Sequence, residues 1–149
     1  MEILFVSSEV APWSKTGGLG DVGGALPRAL AARGHDVTVV SARYRSIDAK
    51  AQGFELLPGA LRVRGEPASL WVRRGRPEVH LLEHERFFGS RPGIYGEGER
   101  EYGDNAERFA FLTRAALAVP AATRKRVRIV HANDWQTALA PYLLRHEHG

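Results

Sequence analysis

Two segments of this 149-residue chain hold the residues best suited to chemistry. The first, residues 8–22, reads Ser8-Glu9-Val10-Ala11-Pro12-Trp13-Ser14-Lys15-Thr16-Gly17-Gly18-Leu19-Gly20-Asp21-Val22. Glycines let backbone N–H groups approach a ligand closely, a helix that follows turns the positive end of its dipole toward an anion, and Lys15 adds a full charge. Lys15, Gly17 and Gly18 thus describe a phosphate site; the competing reading is a plain Gly-rich turn with a solvent lysine. The second segment, residues 130–137, reads Val130-His131-Ala132-Asn133-Asp134-Trp135-Gln136-Thr137. A histidine at a strand end and an aspartate at the mouth of a helix would point into the same crevice. Alternatively, Asp134 or Asn133 is an N-cap and His131 a satisfied buried imidazole.

Gly18, Gly20 and Gly23 also spell a literal G-x-G-x-x-G. In a dinucleotide site the first glycine follows the strand almost directly, whereas here about ten residues intervene after Ser8. The second strand ends in Ser41-Ala42-Arg43, with no acid for a ribose. Arg43 would suit a 2′-phosphate, so an NADP-binding protein is the alternative from another class. No His, Asp or Glu cluster has metal-ligand spacing, and His146 with His148 lies too near the chain end to count, so no metal and no cofactor is expected.

Charge and composition narrow the partners. The excess of 21 basic over 17 acidic residues is modest, and the clusters at Arg62, Arg64, Arg73, Arg74, Arg76 and at Arg124, Lys125, Arg126, Arg128 read as solvated edges. No nucleic acid is expected. No apolar run approaches the roughly 18 residues that span a bilayer, since residues 3–6 are broken at once by Ser7, Ser8 and Glu9. No membrane association is expected, and the absence of cysteine fits a cytoplasmic setting.

These loops need a scaffold. Residues 2–7 form a short apolar run, the pattern of a buried parallel strand, and 35–40 form a second. Between them the apolar spacing of Val22, Ala25, Leu26, Ala29 and Leu30 predicts a helix over 20–33, ended by Gly34. The sum is a βαβ unit with the two strands adjacent. Residues 54–82 break into small strands and turns, including 61–64, 70–73 and 79–82. Residues 87–103 read as a long surface loop, 105–119 as a helix, 127–131 as a further buried strand, and 135–146 as a helix kinked by Pro141. The expected fold class is α/β, a Rossmann-like parallel sheet with flanking helices.

Lys15-Thr16-Gly17-Gly18-Leu19 soon after an N-terminal strand, with residues 131–137 much later, closely resembles bacterial glycogen synthase and plant starch synthase. The likeness extends to Ser7-Ser8-Glu9-Val10-Ala11-Pro12, Gly24-Ala25-Leu26-Pro27, Arg91-Pro92-Gly93-Ile94-Tyr95-Gly96 and Asp104-Asn105-Ala106-Glu107-Arg108-Phe109. It implies a GT-B glycosyltransferase: two Rossmann-like domains facing each other over a cleft, moving glucose from ADP-glucose to the non-reducing end of an α-1,4-glucan with retention. Residues 1–149 would then be a truncated N-terminal domain, without the C-terminal donor-binding domain. By position, Lys15 would contact the sugar nucleotide, Gly17 and Gly18 would give backbone access, and Asp21, Tyr95, His131 and Asp134 would line the cleft. His131 and Asp134 are the candidates for catalysis. Two positions depart from the family pattern: Asn133 stands where a second histidine is usual, and Ala42 where proline is. Alone, the chain is expected to be inactive in transfer, or to act only as a glucan- or nucleotide-binding unit.

Overall fold

The computed structural model describes residues 1–59 and 61–147, so His148 lies outside the described residues. Its frame is a parallel sheet. Strand β1 (Glu2–Val6) lies between β2 (Asp36–Ala42) and β9 (Ile129–Ala132), parallel to both, with Phe5 opposite Val39 on one side and His131 on the other. This central position explains its unbroken apolar run: Leu4, Phe5 and Val6 are fully buried.

Beyond β2 comes β6 (Glu78–Glu83), also parallel, and then β5 (Glu66–Arg73), antiparallel to β6. The short strands β3 (Glu55–Leu56) and β4 (Leu61–Val63) pair with β5, the order across the sheet is β3-β5-β6-β2-β1-β9, and β7 (Gly96–Glu97) pairs with β8 (Arg100–Glu101) in a separate hairpin. Residues 79–82 therefore belong to a fourth parallel strand and not to a set of small strands and turns. Their run Val79-His80-Leu81-Leu82 is buried throughout, as a central parallel strand must be.

Helix α1 (Gly18–Ala32) crosses from β1 to β2 and starts two residues before the spacing predicts. It ends as expected, with Gly34 in the left-handed region at φ 86°. It runs close to the loop that precedes it: a Cβ at Gly23 would come within 2.3 Å of the Glu9 carbonyl oxygen. Helix α2 (Asn105–Ala122) packs against β4 and against β1, β2 and β6. The two helices lie on opposite faces of the sheet, because Val39 shares a hollow with Gly23 and Gly24 of α1, whereas Thr38, pointing the other way, meets Lys125 beyond the end of α2.

Three further expectations need correction. Residues 87–103 are a surface loop only in part: residues 97–101 are exposed, but Phe87 and Phe88 are buried, inside a single wide turn over Glu85–Gly89. The buried guanidinium of Arg108 holds this region on α2, donating to the carbonyls of Phe87 (2.7 Å) and Ile94 (2.9 Å) and to Asn105 Oδ1 (2.6 Å). The strand near residue 127 starts at Ile129 and is only partly buried, because among the described residues nothing pairs with its outer edge. Finally, residues 135–146 are not one kinked helix. A 3-10 turn (Trp135–Thr137) precedes a separate helix α3 (Ala140–Glu147), and Pro141 sits in its first turn, where a missing N–H costs no hydrogen bond. No helix among the described residues is long and apolar enough to cross a membrane.

Candidate functional site

At the carboxyl ends of β1 and β9 the chain leaves the sheet at Glu9, a carboxylate only 2% exposed. Such a charge is tolerable only if it is richly hydrogen-bonded. Glu9 accepts from the Thr16 amide (2.5 Å), the Thr16 hydroxyl (2.8 Å), the Gly17 amide (3.4 Å) and the Tyr95 hydroxyl (2.6 Å). The Tyr95 oxygen in turn accepts from Ser8 Oγ (2.9 Å) and Gln136 Nε2 (3.0 Å), which uses its one proton and both lone pairs. Burial, with the Glu9 hydrogen bond added, pushes the Tyr95 phenol well above its usual value, so it remains a donor. Tyr44, likewise raised chiefly by burial, donates to the Ser8 carbonyl at 2.7 Å.

One knot of hydrogen bonds thus joins the two segments, with Tyr95 between them. Lys15 lies outside the knot. Its ammonium meets Asp21 Oδ1 at 2.7 Å, with both side chains half exposed or more, and such exposed pairs contribute about 0–1 kcal/mol. That contact is weak enough to be exchanged for a phosphate. Asp21 itself sits in the first turn of α1, where the helix dipole favours a negative charge.

Glu9 occupies the amides of Thr16 and Gly17, so these are not the ligand-facing groups. The amides of Gly18, Leu19 and Gly20 open α1 and have no acceptor within the helix. A Cβ at Gly17 or Gly18 would meet nothing within 4 Å, and Gly17 at φ −158° is ordinary extended backbone. Neither glycine is demanded by the packing of the chain itself.

In the second segment, Asn133 is structural: its amide donates to the carbonyls of Val6 (2.9 Å) and His131 (3.3 Å), tying the ends of β1 and β9 together. The His131 ring lies 4.9 Å from that of Phe5 across the pair. Asp134 is exposed and does cap the following turn, its Oδ1 accepting from the Trp135 amide at 2.7 Å. It does so at φ 63°, a left-handed conformation that costs energy for a residue other than glycine. Trp135 is 52% exposed and stands edge-on to Phe109, with the Tyr95 ring 6.1 Å away. A groove of 380 Å³ lined by Thr16, Ile94, Tyr95, Gly96 and Arg100 opens beside the knot.

Arg43, by contrast, is bound to Glu83 at 2.6 Å and lies over the Trp71 ring. It is no free cation for a 2′-phosphate.

The profile of the starch synthase catalytic domain matches residues 2–149. The chain belongs to this family. A glycogen synthase of Anaeromyxobacter sp. (strain K) is 65% identical over the whole chain, and one of Myxococcus xanthus is 47% identical over 97% of it. The chain spans 31% of the length of each. Among solved structures, the catalytic domain of starch synthase IV from Arabidopsis thaliana, bound to ADP and acarbose, superposes with a TM-score of 0.79 at 29% identity. That match covers 97% of this chain and 30% of the other.

Glu9, Ser8 and Gln136 join the Tyr95 network although the sequence motifs give them no role. A signal for Glu9 was present: a lone acid placed directly after a buried strand and before a turn rich in free amides has to find donors. Nothing local marked Tyr95 or Gln136 as its relatives in that network.

Proposed function

We propose that this chain is the N-terminal, Rossmann-like part of a two-domain GT-B glycogen synthase, which transfers glucose from ADP-glucose to the non-reducing end of an α-1,4-glucan with retention. The observation that carries this reading is the outward face of the Lys15 loop: a weakly held ammonium, the unbonded first amides of α1, and two glycines whose missing side chains leave space that no part of the chain fills. In the complete enzyme a donor phosphate would use these groups. Charge builds on the departing diphosphate as the glycosidic bond breaks, and fixed cations and oriented N–H groups lower that barrier. Glu9 and Tyr95 would act as positioning residues, holding the loop from behind.

Asp21, Tyr95, His131 and Asp134 would line the cleft, with the strained Asp134 and the exposed Trp135 presented toward the acceptor. The ADP and acarbose of the Arabidopsis enzyme support a nucleotide and a glucan as the two ligands. No metal, nucleic acid or membrane enters this scheme, and its setting is cytoplasmic.

The test joins these residues to the remaining part of an Anaeromyxobacter glycogen synthase and follows labelled glucose from ADP-glucose into glycogen. The joined enzyme should be active, and the 149 residues alone inactive, because one wall of a cleft cannot align donor and acceptor. Lys15→Ala in the joined enzyme should lower turnover roughly ten- to hundredfold, the worth of a charged hydrogen bond. Unchanged kinetics in Lys15→Ala would sink the phosphate assignment. Robust transfer by the monomeric chain alone would sink the two-wall reading.

A further inference from the structure

Behind the Lys15 loop, on the α1 face of the sheet, lies a second hollow to which the proposed transfer assigns no role. It measures 130 Å³, and its apolar walls include Val10, Trp13, Val39 and Val79. Three arginines line it from three elements: Arg28 on α1, Arg73 at the end of β5 and Arg76 in the turn between β5 and β6. Arg73 sits over the Trp13 ring at 5.7 Å. Neighbouring Arg74 is engaged by Glu78 at 3.0 Å, yet among the described residues no carboxylate pairs with Arg28, Arg73 or Arg76. Asp21 lines the adjoining groove with Arg28 and is taken by Lys15.

Three exposed cations round one hollow repel one another, weakly because water screens them, and an anion in the shared space would turn that repulsion into attraction. A monovalent carboxylate would leave most of that charge uncompensated. A phosphomonoester carries about −1.5 to −2 near neutral pH, and its three oxygens match the forked donors of arginine. The size of the hollow bounds the rest of the ligand. Pockets for drug-sized molecules run from about 300 to 1,000 Å³, so a nucleotide is too large, and the Trp13 and valine walls suit a short carbon body.

We infer that the hollow between α1 and the β5–β6 turn binds a small phosphomonoester, gripped by Arg28, Arg73 and Arg76 and flanked by Trp13. The site is distinct from the Lys15 face, although Trp13 and Lys15 stand two residues apart on one loop.

The test follows the indole N–H resonance of Trp13 in the 149-residue chain, assigned by its loss in Trp13→Phe. Glycerol 3-phosphate, sodium phosphate and sodium chloride are titrated at matched ionic strength. A saturable shift is expected with the ester, a weaker one with inorganic phosphate and none with chloride. The double variant Arg73→Gln/Arg76→Gln, and separately Arg28→Gln, should each weaken ester binding about tenfold or more. All three arginines are exposed, so these variants should keep the wild-type far-UV circular dichroism and melting transition. No saturable shift, equal affinity for ester and inorganic phosphate, or binding unaltered in these arginine variants would each overturn the inference. Altered Lys15→Ala kinetics bear on the transfer reaction and leave this result untouched.

Discussion

The two ends of the parallel sheet treat charge in opposite ways. At the amino-terminal end of β6, Glu78 is shared by His80 Nε2 (2.7 Å), Lys125 Nζ (3.0 Å) and Arg74 (3.0 Å), and Lys125 also donates to Thr38 on β2 at 2.9 Å. Every charge in this cluster faces an internal partner, and the cluster pins the segment after α2 to the sheet. At the carboxyl-terminal end Glu9 is just as thoroughly satisfied, but its partners are the amides and hydroxyls of a loop. That loop turns its own cation and the first amides of α1 outward. The difference teaches what separates a staple from a scaffolded site: both hold one acid, and only the second leaves donors over for something else.

If the carboxyl-terminal acid carries its loop, removing it should produce the largest effect. Glu9→Ala strands the Tyr95 hydroxyl and frees the Thr16 and Gly17 amides, so we expect a loss of about 3 kcal/mol in denaturant unfolding. Hydrogen exchange at Thr16 and Gly17 should rise together with it. An unchanged midpoint would mean that the loop is held elsewhere and would erase the contrast.

Tyr95→Phe sharpens the same point. It keeps the ring and deletes the oxygen shared by Glu9, Ser8 and Gln136, and should cost about 1–3 kcal/mol. A loss below about 0.5 kcal/mol would show that water replaces the phenol without penalty.

The staple is tested by acid. Burial alone would raise the Glu78 carboxyl, but the hydrogen bonds and charges of Lys125 and His80 outweigh it and hold the group at about 2, below its ordinary 4.5. A depressed acid contributes stability that is present above the unfolded value and lost as pH falls through the folded one, so this contribution should fade from about 4.5 down to about 2. His80 is lowered from 6.5, mainly by burial, although Glu78 pulls it upward and Lys125 and Arg74 push it down. The unfolded chain therefore binds that proton first, and stability should already begin to fall below about pH 6.5. Thermal melts from pH 7 to pH 2 should show both limbs, and Glu78→Gln should flatten the lower one. A wild-type profile that stays flat to pH 3 would remove the cluster from the stability of the fold.

The smallest effects on folding belong to the outward groups. Lys15→Ala should change stability by less than about 1 kcal/mol, since its pair with Asp21 is exposed. Gly18→Ala has open space around its new methyl group and should be neutral or stabilising by about 0.5–1 kcal/mol. Calorimetric melts of the two variants check this. A destabilisation above about 2 kcal/mol in either would place that residue in the structure and not at its open face.

The sequence by itself determined the local periods and breaks. The apolar run of β1, the spacing of α1, the left-handed Gly34 and the gathering of Lys15, Gly17 and Gly18 before a helix are all short-range patterns, set by strand and helix geometry within a few residues. They sufficed for the α/β class and for the location of the loops. Tertiary structure alone decided which polar groups satisfy one another. Glu9 finds Tyr95 eighty-six residues away, and Gln136 closes the same network from the far side of β1. The interval 87–103 lacks a period because its order comes from outside itself, from the buried Arg108 that seizes its carbonyls. Residues 79–82 became a central parallel strand only because β2 lay free on that side to receive them. Asp134 gives no sign in its neighbours of a positive φ, which the junction between β9 and the Trp135 turn imposes. A buried acid or cation must be paired, and the sequence states that requirement plainly; which residue answers it depends on the path of the whole chain.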